Sequence, residues 1–258
     1  MLPATDTFGS YGRRRGLVGL AFSASRAFDR AVTWIIAIIL ALVCAIAGYA
    51  VWDAWHVLNG NDQFAKPVDA ESFASLMAVN PDVCAWLTID NTNIDYPVVQ
   101  GGGNFEYLSR DAKGEYAASG SIFLDAACDR TFCGPYEVLM GHHMQYGKMF
   151  GDLDKFLDKE FFEGNQTGQL MLPDRTLELS VVAVMKADAY DHEIFGTPVS
   201  SDGMSGLVSH IAERALYQRA GALSATDHTI VLSTCASDGA DSRTVVICKV
   251  VGERTSGA

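Results

Sequence analysis

The stretch Thr229–Val250, TIVLSTCASDGADSRTVVICKV, reads as a strand, a polar acidic turn and a second strand. Both flanks are rich in Val, Ile and Thr, which fit a pleated, half-buried surface. The loop Ala236–Ser242 is short enough to bring positions 235 and 243 together, so a thiol and a guanidinium stand at facing strand ends. Arginine stays protonated at any physiological pH and cannot act as a base, but it can hold a carbonyl or steady an oxyanion. The plain alternative is an edge-strand arginine paired with Asp238 or Asp241, a contact worth little.

Working outward, six more strand-like runs separate turn segments: WLTI (86–89), IDYPVVQ (94–100), GSIFLD (120–125), EVLMGHH (137–143), GQLMLP (168–173) and TLELSVVAVMKADAY (176–190). With the two around Cys235 they make eight. Helical spacing of apolar residues recurs in PVDAESFASLMAVNPD, where Asp69 or Ser72 can cap, and in 149–164 and 204–222. Many short strands with few helices predict an antiparallel sheet closed into a barrel.

Toward the N-terminus, Ala31–Trp52 holds 22 residues with no charge and Thr33 as its only clearly polar side chain. As a helix it would be about 33 Å long, enough to cross a bilayer core. It is too long and starts too late for a typical signal-peptide core, and it lacks the polar stripe of a buried soluble helix. The expected organisation is a basic cytoplasmic tail (1–30), a single transmembrane anchor (31–52), a stalk (53–68) and an extracellular catalytic domain (69–258). Five arginines against two aspartates give the first 30 residues +3, whereas residues 53–258 carry −15. The positive-inside rule then leaves the N-terminus in the cytoplasm and exports the rest. So acidic a domain is a poor partner for nucleic acid.

Outside the membrane lie Cys84, Cys128, Cys133, Cys235 and Cys248, an odd number, so at least one thiol has no intramolecular partner. Cys128 and Cys133 could pair, stay free and buried, or contribute to a metal site, although no second pair completes one. No metal or cofactor is expected. An ordinary thiol is only about 3% ionised at pH 7, so a nucleophilic cysteine needs a base or a cation beside it. Six histidines are available, and His142 and His143 in LMGHHMQYGKMF follow an apolar run and precede a Gly-containing turn. Strand alternation sends their rings to opposite faces, so only one should serve position 235.

VLSTC followed eight residues later by Arg, with GHHM and MFGDL upstream, resembles the sortases, membrane-anchored cysteine transpeptidases of Gram-positive bacteria. IDYPVVQGGGNFEYL, GEYAASGSIFLD and GHHMQYGKMFGDL look like class B, and the likeness runs over about residues 69–251. It implies a mainly β fold: a closed eight-stranded barrel with N-terminal helices and a helix inserted before the Cys235 strand. It implies Cys235 as nucleophile, His142 as the acid and base, and Arg243 as the oxyanion partner, with Ser233 and Thr234 lining a peptide groove. Implied partners are surface proteins carrying a C-terminal sorting motif of the N-P-x-T-x type, and an acceptor amine on a cell-wall precursor or a pilin lysine. Met140 stands where the family usually has tyrosine and Val231 where it has threonine, departures that bear on substrate fit more than on chemistry. A surface cysteine protease that hydrolyses its thioester, a tethered non-catalytic binding protein and a metal module built on His142, His143, Cys128 and Cys133 are the rival readings.

Overall fold

The computed structural model describes residues 9–59, 64–197, 199, 200, 202–221, 223–235 and 241–255; the side chains of 9–25, 27, 56–59 and 235 lie outside the described set. The chain divides into two units, Met1–Trp55 and His56–Ala258. The first is dominated by α1 (Gly9–Asn59), within which Phe28–Trp55 is long and apolar enough to cross a membrane and has its side chains exposed. The helix does not stop where the stalk was expected to begin. Asp53–Asn59 contains neither Gly nor Pro, and the next breaker after Gly48 is Gly60. Residues 60–63 of that linker are outside the described set.

The second unit opens with α2 (Ala70–Val79). Asp69 accepts from the Ser72 N–H at 2.8 Å while the Ser72 hydroxyl receives the Asp69 N–H at 3.1 Å, a reciprocal cap that fixes where the helix starts. All eight expected strands form: β1 (Val83–Ile89), β2 (Asp95–Val99), β3 (Ile122–Leu124), β4 (Tyr136–Gly141), β5 (Thr167–Met171), β6 (Arg175–Asp188), β8 (Thr229–Cys235) and β9 (Ser242–Thr255). A ninth, the two-residue β7 (Tyr217–Gln218), pairs with the far part of β6. The order β5-β1-β2-β3-β4-β8-β9-β6 closes through a β5–β6 pairing, so the eight long strands form a barrel with no free edge.

The barrel is mixed rather than antiparallel. β2 pairs with β3, and β4 with β8, in parallel. Parallel neighbours need a crossover, and both have one: residues 100–121 between β2 and β3, and residues 142–228 between β4 and β8. The stretch expected as one helix over 149–164 is instead a 3-10 turn (Gly151–Leu157) followed by α3 (Lys159–Gly164), because Asp158 takes an extended conformation and caps the second piece. α4 (His192–Phe195) and α5 (Met204–Arg214) lie in the β6–β8 connection, α5 being the helix expected before the Cys235 strand.

Alternation sorts the core. Leu139, Leu232 and Val246 sit side by side across β4, β8 and β9 and belong to the barrel interior. One residue earlier or later, Val138, Val231 and Ile247 face outward and pack with Leu207 and Ile211 of α5. Val231 is fully buried there, so valine in place of threonine suits its apolar surroundings. Phe73 and Leu76 of α2 cover a third cluster with Trp86, Val99 and Tyr107.

Near the start of β4, Glu137 is wholly buried, with His228 Nε2 2.7 Å from its Oε2. Burial pushes its carboxyl above the ordinary 4.5, the His228 hydrogen bond pulling the other way. A raised carboxyl binds its proton more tightly in the folded chain. Its contribution to stability is therefore present below the unfolded value and is lost as pH rises through the folded one. Glu137→Gln keeps the shape but cannot ionise. Measured by denaturant unfolding, the stability of that variant relative to the unmodified chain is expected to rise with pH from about 4.5 upward, by up to ~1.4 kcal/mol for each unit of displacement. A difference that stays flat or falls with pH would show the carboxyl is not displaced upward.

Candidate active site

Three strand ends meet at one rim of the barrel. β8 and β9 are antiparallel, and Cys235 is the register partner of Arg243. β4 runs parallel to β8 with Gly141 opposite Thr234, so His142 follows one step beyond the last pair, level with position 235. Adjacent strands lie about 4.8 Å apart. The backbone thus lines up positions 142, 235 and 243 in a row, on the parity that faces outward toward α4 and α5. Gly141 and Thr244 belong to the opposite row, continuous with the barrel interior. A Cβ at Gly141 would stand 3.0 Å from the Phe150 ring, so the ring packs closely against this strand end.

His142 is half-buried, and its Nε2 lies 2.7 Å from the Leu108 carbonyl oxygen. A carbonyl only accepts, so Nε2 carries the hydrogen and Nδ1 is the nitrogen left to exchange a proton. The seat is tight. Gly120 has φ +57°, and a Cβ there would come 2.7 Å from the Leu108 oxygen, 2.8 Å from the Tyr107 oxygen and 3.0 Å from the His142 ring. Only glycine meets both the backbone angle and the space. Neither Leu108 nor Gly120 was singled out by the sequence. The turn GEYAASGS before a strand was the available signal for the glycine.

The Arg243 guanidinium stands 5.9 Å from the centre of the Phe195 ring at the end of α4. That helix is held on the barrel by buried Ile194, whose carbonyl accepts from the Tyr136 hydroxyl at 2.8 Å. A four-residue helix leaves too little periodicity to be read in advance. His143 turns away from this row. Its Nε2 lies 3.0 Å from Asp154 Oδ2, and Asp154 Oδ1 accepts from the Thr244 hydroxyl at 2.7 Å.

The other thiols fare differently. Cys84, Cys128 and Cys248 are buried and unpaired, and burial pushes each up to about 12. None of the three can supply thiolate near neutral pH. Cys133 is exposed rather than buried, with Arg175 Nη2 3.4 Å from its sulfur, and it forms no bridge with Cys128. The four residues of the metal reading point to separate partners: the two rings to Leu108 and Asp154, and the two sulfurs to the carbonyls of Tyr136 and Thr131. The Cys235 side chain and residues 236–240, including Asp238, lie outside the described set. Ser233 and Thr234 were expected along a peptide groove. Both are fully buried, and their hydroxyls find no hydrogen-bond partner among the described residues.

Comparison with known proteins adds an independent line. Residues 87–251 match the family model described as the sortase domain. Sortase B of Listeria monocytogenes is 31% identical over 165 residues, covering 64% of this chain and 67% of the relative. A Streptococcus pyogenes class B sortase involved in pilus biogenesis superposes with a TM-score of 0.62 at 34% identity, covering 69% of this chain and 96% of that one. The Staphylococcus aureus sortase B–substrate complex gives 0.65 at 25% identity, over 71% and 86%.

Proposed function

This chain belongs to the sortase family, class B, and we propose that Cys235, His142 and Arg243 carry its cysteine transpeptidase chemistry. The observation that supports this reading most is the register that pairs Cys235 with Arg243 and leaves His142 one step past the Gly141–Thr234 pair on β4 and β8. In the first half-reaction the Cys235 thiolate adds to a backbone carbonyl of the sorting motif. The resulting oxyanion is held by Arg243, whose charge is permanent. His142, as imidazolium, gives a proton to the departing nitrogen. The C–N bond breaks, leaving a thioester and a free amine. In the second half-reaction the acceptor amine passes a proton to neutral His142 and attacks the thioester carbonyl. A new amide forms and the thiolate leaves.

The substrates are surface proteins ending in a sorting motif of the N-P-x-T-x type, and the acceptor is an amine of a cell-wall precursor or a pilin. The 31–52 segment anchors the enzyme with its tail inside and the 69–258 domain outside. Enzyme and membrane-held substrate then share one surface at raised effective concentration. The test uses the full chain in detergent micelles with an N-P-x-T-x peptide, with and without an added primary amine. Mass spectrometry is expected to show an acyl-enzyme at Cys235 and a ligated product that replaces the hydrolysed one as amine is added. Hydrolysis that is indifferent to amine would favour the surface protease instead.

A further inference from the structure

We infer that Asp154 is a positioning residue that ties the His142 strand end to the Arg243 strand end from the face away from the chemistry; this rests on the catalytic roles proposed above. The GHHMQYGKMFGDLD stretch folds back on itself. His143 pairs with Met149 as an isolated bridge, and the Phe150 N–H donates to the His142 carbonyl at 3.1 Å. The chain then enters the 3-10 turn Gly151–Leu157, which delivers Asp154 beneath the rim. One carboxylate oxygen meets His143 at 3.0 Å and the other takes the Thr244 hydroxyl at 2.7 Å.

The partners are adjacent in sequence to the residues that matter. His143 follows His142, and Thr244 follows Arg243 and is the register partner of Thr234, which precedes Cys235. β4 and β9 are not neighbours in the barrel, since β8 lies between them, so no backbone ladder joins their ends directly. Asp154 supplies that link. It is also no ordinary surface ion pair: His143 and Asp154 are only 28% and 27% exposed, and Thr244 is fully buried. Alternation puts the tie on the opposite face from positions 142 and 243, so Asp154 does not touch substrate. Its effect is on the distance between the proton donor and the oxyanion partner, which the attack requires to be set before substrate binds.

The experiment measures steady-state transpeptidation by the full chain in micelles, at a temperature where melting curves show every variant folded. Asp154→Ala and Thr244→Val are each expected to lower kcat about tenfold with KM within about twofold, since geometry rather than peptide affinity is lost. Asp154→Asn still has an acceptor and a donor to bridge with, and should stay within about threefold of the unmodified enzyme. The double variant Asp154→Ala/Thr244→Val should cost no more than Asp154→Ala alone. If Asp154→Ala does not fold, Thr244→Val and Asp154→Asn carry the comparison, because both preserve volume. An unchanged kcat in Thr244→Val, a loss confined to KM, or additive losses in the double variant overturns the tie. Cys235→Ala run in parallel separates the two levels: an inert control beside an unaffected Asp154→Ala sinks the tie alone, whereas an active control sinks the nucleophile assignment and the tie with it.

Discussion

Cys235→Ala is expected to reduce transpeptidation at least 10³-fold and to abolish the acyl-enzyme, with the melting temperature of the chain little changed. Removing a nucleophile deletes the covalent route outright, and what survives is the small acceleration that binding and oxyanion stabilisation give on their own. None of the three buried thiols can stand in, because burial pushes Cys84, Cys128 and Cys248 up to about 12. Arg243→Ala should cost about 10²- to 10³-fold in kcat, the scale on which a lost oxyanion donor is felt. Arg243→Lys should recover little of this. Lysine keeps the charge but lacks the planar fork that lies over Phe195, and its compact ammonium is more strongly hydrated. Acyl-enzyme in Cys235→Ala would mean that another group is acylated. Full activity in Arg243→Lys would reduce the arginine to a mere positive charge.

The sequence made the strands legible but not their partners. Alternation of period two exposes a strand wherever one face is buried, and all eight runs formed within a few residues of their expected limits. Nothing in such a pattern says whether a neighbour runs parallel. That depends on what the intervening crossover can reach, and two of the pairings here are parallel. β7 and α4 leave no readable pattern, because two or four residues cannot establish a period. The 149–164 stretch departs from its expected single helix for a different reason: three- and four-residue spacing looks the same in a 3-10 turn and an α-helix, and Asp158 reads equally well as a surface acid or a cap.

At the site, residue types were more legible than surroundings. The hairpin spacing put positions 235 and 243 together, and alternation separated the two histidine rings. Asp154 was invisible because an acid in an amphipathic stretch looks solvated, and only the fold-back of the 142–150 loop brings it under His143. For Ser233 and Thr234 the residue types were legible and the surroundings were not: hydroxyls beside a reactive position suggest a groove, and among the described residues both side chains are fully buried.

His142→Ala should lower the rate on a peptide substrate by about 10²- to 10⁴-fold, the range of a lost general acid, while His143→Ala loses no more than about tenfold. The geometry gives the reason for the asymmetry. His142 holds the Leu108 carbonyl through Nε2 and keeps Nδ1 for proton exchange, whereas His143 spends Nε2 on Asp154. The nature of the leaving group offers a sharper reading than the loss itself. An amide nitrogen must gain a proton to depart, but a thiolate leaving group need not. On a thioester substrate with the same recognition sequence, the penalty for His142→Ala should shrink by at least tenfold. That for Arg243→Ala should persist, because the tetrahedral oxyanion forms in either case. An equal penalty on both substrates would place His142 in substrate binding or thiol activation instead of proton delivery. A larger loss in His143→Ala than in His142→Ala would move the proton donor to the ring that the strand parity turns away.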